Sequence, residues 1–207
     1  MNNKDYLKDI SDIKNLMNRS SRFISLSGLS GILAGVYALI GAYLANGIIT
    51  KIQMETHPIK RFLIGYDSIG TLLIIAFTVI VLSVLTAIYL TYRKTKKQHE
   101  NIWDISSKRL IINFLIPLLT GGIFCIVLID KEYFDLIASS TLIFYGLSLI
   151  NASKYSIGDI QYLGFIEVVL GLICAMFPGY GFWLWVIGFG IMHIIYGTYM
   201  HFKYDKQ

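Results

Sequence analysis

Glu167 and His193 are the carboxylate and the imidazole that fall deep inside long apolar stretches of this chain. Both side chains exchange protons and both bind polar ligands. In hydrocarbon an ionised group is costly, so such residues face a bundle interior and pair with one another. Glu167 stands 12 residues before Gly179 of the turn Pro178-Gly179-Tyr180-Gly181, and His193 stands 14 residues after it. At the rise of an α-helix these separations are roughly 18 Å and roughly 21 Å. Matched depth predicts that the two side chains meet across a helical hairpin. Two uses of such a pair stay open: a proton-linked or ligand-binding site, and a hydrogen-bonded fixture that holds the hairpin together.

The elements that must position them are membrane spans. Of 207 residues, 55% are hydrophobic and only 15% charged, where soluble domains carry about 25% charged residues. A bilayer core about 30 Å thick takes roughly 20 apolar residues per helix. Runs near 23–45, 69–92, 110–129, 134–152, 160–177 and 181–202 predict an all-α integral membrane bundle of six transmembrane helices over 23–202. Ahead of it, Tyr6, Ile10, Ile13 and Met17 recur at three- and four-residue spacing among charges. That pattern predicts an amphipathic cytoplasmic arm over 1–22, lying on the membrane face or against the bundle. The first apolar run begins near Phe23, after a charged arm and without a small-residue cleavage site, so it is expected to be retained. Residues 46–68 read as the longest connection and residues 203–207 as a short cytoplasmic tail.

Charge sets the expected orientation. With the N-terminus inside, fourteen of the eighteen Lys and Arg fall in inner segments, a strong positive-inside bias. Both termini are then cytoplasmic, with Tyr180, Trp183 and Trp185 at the outer interface and Tyr92, Tyr155 and Tyr204 at the inner one. The net charge of +5 sits beside apolar spans and comes with no recognition motif. Membrane lipid is therefore the expected partner of these cations, and nucleic acid is not.

Small residues mark the expected packing faces. Ser27, Gly31 and Gly35 recur every four residues in the first span, a spacing that lets helix backbones approach closely in lipid. Gly171 and Gly197 hold corresponding places later. Gly122-Ile123-Phe124-Cys125 matches Gly171-Leu172-Ile173-Cys174, with Gly35-Val36-Tyr37-Ala38 in the same place of the first span, and Tyr145-Gly146 matches Tyr196-Gly197. These matches suggest three repeated antiparallel hairpins. In that register Glu167 takes the place of Leu118 and Gly31. Cys125 and Cys174 lie inside spans and form no disulfide framework; small packing residues are their expected role.

Other constellations carry less. Gly28-Leu29-Ser30-Gly31 resembles the GxSG motif of rhomboid-type intramembrane serine proteases, with His193 in the histidine's place. The rhomboid serine belongs to the fourth core span, however, and the supporting histidine and asparagine pattern is absent, so no catalytic residue is assigned. Glu55, His57 and Asp67 match no metal-ligand spacing, and no phosphate loop or nucleotide fingerprint implies a cofactor.

The run from Arg19 to Ala38 and the stretch Leu163 to Tyr204 look like the beginning and ending of a group of bacterial six-span membrane proteins of no established activity. More loosely, the glycine-marked hairpins are similar to HdeD-like acid-resistance membrane proteins; Gly171, Pro178 and Gly197 fit that pattern, while the arm and the first connection depart from it. The resemblance implies the bacterial inner membrane and, by analogy, a stress-related role. The expected function is that of a non-enzymatic integral membrane protein. The alternatives are a small transporter or channel, acting as a homo-oligomer through Glu167 and His193, and a membrane sensor that engages a cytosolic protein through its N-terminal helix or its basic 93–109 segment.

Overall fold

The structure is a computed structural model that describes residues 27–97 and 105–205. The arm over 1–22 and the chain ends lie outside the described residues, as do residues 98–104 of the connection between 93 and 109. All regular structure among the described residues is helical. Helix α1 is Gly28–Met54, α2 is Pro58–Lys97, α3 is Ile105–Asp130, α4 is Ile137–Ser153, α5 is Ile160–Met176 and α6 is Gly181–Asp205. Single 3₁₀ turns at Phe134–Leu136 and Pro178–Tyr180 precede α4 and α6. Helices α1, α2, α3 and α6 are long and apolar enough to cross a membrane, as is α4 together with its 3₁₀ turn; α5 is apolar but shorter, at 17 residues.

The first connection is much shorter than the sequence suggests. Helix α1 continues to Met54 and α2 starts at Pro58, so the stretch expected as the longest connection reduces to Glu55, Thr56 and His57. The polar residues that mark it as a loop, Lys51 and Asp67 among them, are compatible with helix wherever water or headgroups surround them. Only Pro58 interrupts the backbone pattern, and proline is well suited to the first position of a helix.

The chain forms two compact units. One comprises α3, α4, α5 and the last turn of α2, within Tyr92–Gly181. Here α4 runs back along α3, with Phe114 edge-on to Tyr145 at 6.1 Å and Phe124 against Phe144 at 5.8 Å. The Asn151 side-chain amide donates to the Asn113 carbonyl at 3.1 Å. Helix α3 ends in a left-handed turn: Glu132 has φ 61°, and the Tyr133 N–H donates back to the Leu128 carbonyl at 2.8 Å. These features form a C-terminal stop of the Schellman type.

The other unit comprises α1, α2 up to Thr91, and α6 from Phe182. Helix α1 meets α2 where the Tyr37 and Thr86 hydroxyls hydrogen-bond at 3.2 Å. It meets α6 through glycines. A Cβ placed on Gly31 would lie 3.2 Å from the Gly197 Cα, and one on Gly35 would lie 2.7 Å from the Gly190 carbonyl oxygen. Of the three sequence hairpins, α1–α2 falls in this unit and α3–α4 in the other, while α5 and α6 are divided between the two.

Helix α6 is not a uniform α-helix. Residues Val186–Met192 and His201–Asp205 wind as π-helix, on either side of an α-helical His193–Met200. π-Helix is rare and is frequent at functional sites.

Candidate functional site

Glu167 sits in the seam between α4 and α5. Gly164 precedes it by three residues and Gly171 follows it by four, which puts all three on one helix face. Both glycines lie against α4. A Cβ on Gly164 would lie 2.7 Å from the Gly146 carbonyl oxygen, and one on Gly171 would lie 2.9 Å from the Ile143 nitrogen and 3.0 Å from the Ser139 carbonyl oxygen. Glu167, held between two such contacts, has no exposed surface (0%). Tyr145 of α4 lies within electrostatic reach of the Glu167 carboxylate. The carboxyl is therefore walled by close backbone contact on both sides along its own helix.

His193 occupies the equivalent position in the other unit. Gly190 precedes it by three residues and Gly197 follows it by four, and both lie against α1. The imidazole is buried, at 5% exposure. Its Nδ1 is 3.0 Å from the Gly188 carbonyl oxygen and its ring stacks on Phe189 at 5.8 Å and 19°. A carbonyl oxygen only accepts, so this contact requires the proton on Nδ1. Gly188 and Phe189 both belong to the π-helical turn that ends at Met192. The wider turn carries the carbonyl and the ring against which the imidazole packs.

Glu167 and His193 thus belong to different units, each fixed in its own surroundings. In both, one glycine stands three positions before the ionisable side chain and another four positions after it. The remaining packing residues divide by use. Gly31 and Gly35 make the α1 side of the α1–α6 seam, Gly197 the α6 side, and Gly171 the α5 side of the α4–α5 seam. Ser27 has a hydrogen-bonding use: its hydroxyl donates to Asp205 Oδ2 at 3.2 Å. Ser30 donates its hydroxyl to the Ser27 carbonyl at 2.6 Å, within the first turn of α1. Both cysteines are free thiols, Cys174 fully buried and Cys125 partly so.

A second polar cluster escapes the sequence reading. Asp205 Oδ2 accepts from the Gly28 backbone N–H at 2.9 Å, from the Ser27 hydroxyl, and from His201 Nδ1 at 3.0 Å. The Asp205 side chain is only 10% exposed. It caps α1 from the far end of the chain, 177 residues away. The one local signal is the four-residue spacing of His201 and Asp205, which puts them on one helix face. Nothing in the sequence links them to Gly28.

No protein-family model matches the chain, and no curated protein or solved structure matches it.

Proposed function

We propose that the chain is a non-enzymatic integral membrane protein of six spans with both termini cytoplasmic, in which Glu167 and His193 are polar fixtures of two helix seams. The carrying observation is that each ionisable side chain is buried between two glycines, three residues before and four after, that press against a neighbouring helix. Close backbone approach on both sides suits a locked packing face better than a solvated pathway, since small residues in lipid bring backbones together and exclude larger groups. Helix α5, about 26 Å long by its rise, serves as the sixth span, because a core of about 30 Å accommodates a slightly short helix by local thinning. The positive-inside bias supports the orientation, and the shared glycine pattern of α5, α6 and α1 supports a repeated construction.

A second reading, a proton-linked carrier, is favoured by one observation: a carboxyl with no exposure is expensive to keep in a membrane and is retained where it has work to do. One experiment separates the two. Wild type, Glu167→Gln and His193→Ala are reconstituted into liposomes, and proton flux under an imposed gradient is read alongside unfolding in detergent. The seam reading expects no flux above empty vesicles for any of the three, with lowered stability for His193→Ala. Flux in wild type that Glu167→Gln abolishes without loss of folding would overturn it in favour of the carrier.

A further inference from the structure

We propose that the junction where α2 ends and α3 begins is a binding surface for anionic phospholipid headgroups, with Arg93, Lys96, Lys97, Lys108 and Arg109 as its phosphate-facing residues. The inference rests on the membrane-spanning reading above and adds a ligand class to it.

The two helix ends sort their side chains by type. Thr95 on α2 and Ser106 and Ser107 on α3 are buried, while Arg93, Lys96, Lys97, Lys108 and Arg109 are exposed. The hydroxyls take the packed side and the cations the outer side. Acidic residues are scarce beside them in sequence. None occurs in 68–97 or 105–129, and the intervening segment holds two, Glu100 and Asp104, against six Lys and Arg over 93–109.

Helix electrostatics accounts for half of this arrangement and opposes the other half. Cations in the last turn of α2 complement the negative end of its dipole. Lys108 and Arg109 lie at the opposite kind of end: the first turn of α3 contains no acid, and cations there face the positive end of the dipole. An anion outside the protein removes this conflict, because it is attracted by the cations of both helix ends and by the start of α3.

Depth identifies the anion. Arg93 follows the apolar run of α2 directly, and Lys97 is four residues further, about 6 Å along the axis. Lys108 and Arg109 stand immediately before Leu110, where the apolar run of α3 begins. The headgroup layer is about 5–7 Å deep on each side of a bilayer. All five cations therefore fall at the level of lipid phosphates, where a soluble polyanion meets the membrane surface before it meets them. Lys and Arg clustered just beyond a span are the pattern that anionic lipids attract.

The test uses the full chain in nanodiscs of phosphatidylcholine containing trace spin-labelled phosphatidylglycerol or spin-labelled phosphatidylcholine. The motionally restricted fraction of each label gives their relative association. Wild type should prefer phosphatidylglycerol at least about fivefold, the factor one surface cation contributes, and lose most of that preference in about 0.5 M NaCl as charges are screened. The variant R93Q/K96Q/K97Q/K108Q/R109Q should fall to no preference with its helical content and melting unchanged, and K96Q/K97Q should fall partway. Lys51→Gln/Lys131→Gln should retain the preference. A preference unchanged in the five-site variant overturns the proposal. So does a preference that inorganic phosphate abolishes at constant ionic strength, which would reassign the surface to a soluble anion. Failure of the chain to co-elute with lipid in either disc would sink the membrane-spanning reading itself; insertion without preference sinks the headgroup surface alone.

Discussion

Gly146 and Gly164 meet backbone to backbone: a Cβ on Gly146 would lie 2.6 Å from the Gly164 carbonyl oxygen, and a Cβ on Gly164 would lie 2.7 Å from the Gly146 carbonyl oxygen. The contact is reciprocal, so α4 and α5 cross at this pair, three residues before Glu167. Alanine at either position forces the helices apart. Gly146→Ala and Gly164→Ala should each lose about 1–3 kcal/mol, the usual cost of overpacking. Gly122 and Gly70 have nothing within 4 Å of an added Cβ, and their alanine variants should gain about 0.5–1 kcal/mol from helix propensity alone. Reversible unfolding in mixed micelles checks all four, and equal behaviour of the two sets would refute the crossing.

The imidazole of His193 is expected to act through Nδ1. His193→Ala leaves the buried Gly188 carbonyl without this donor and should cost about 1–3 kcal/mol. His193→Asn places an amide donor near the position of Nδ1 and should recover at least half of that loss. Unfolding measured for the three proteins decides it; Asn no better than Ala would remove the hydrogen bond from the account.

The Asp205 cap is testable at a single amide. Asp205→Ala removes the acceptor of the Gly28 N–H, and a loss of about 1–2 kcal/mol is expected for a charge-assisted bond. Hydrogen exchange of that amide should then accelerate roughly tenfold or more, while amides in the middle of α1 stay protected. Asp205→Asn should fall between, since it keeps an oxygen and loses the charge. Unaltered exchange at Gly28 in Asp205→Ala would show that the cap contributes nothing.

Glu132 is the non-glycine residue at positive φ among the described residues. A left-handed L-residue costs roughly 1–2 kcal/mol, so Glu132→Gly should leave stability unchanged or raise it by up to about 1 kcal/mol. Glu132→Val, β-branched in the same conformation, should lower it. Melting temperatures of the pair provide the check, and the reverse order would mean that the turn is not retained.

The helical, membrane-type character of the chain was legible from apolar runs, because span length and composition answer to lipid thickness directly. Gly31, Gly35, Gly171 and Gly197 were legible as close contacts for a related reason: in lipid, small residues at helical spacing have few uses besides packing. Their partners were not legible. Gly171 meets α4, and Gly31 and Gly35 meet α6, yet each helix is apolar nearly all round and its neighbour is chosen by complementary gaps that sequence does not display. The expected meeting of Glu167 and His193 was drawn from adjacency and depth alone. Glu167 and His193 belong to different compact units, and the π-helical turn against which His193 packs within its own helix is announced by no residue pattern.

The π-helical stretch of α6 has a consequence for how the helix tolerates change. A wider turn holds one residue more than an α-turn, and every residue is worth about 100° of rotation. Deleting a single residue within Val186–Met192 would return the ladder to α-geometry. The π-turn carries its extra residue within the same rotation, so Phe182 and Trp183 would keep their phase relative to Gly197 and the Asp205 cap, whereas the same deletion in a uniform α-helix would turn them by about 100°. Helix α6 is in this sense a shaft with slack built into it, able to lose one residue in this stretch while its two ends stay in step.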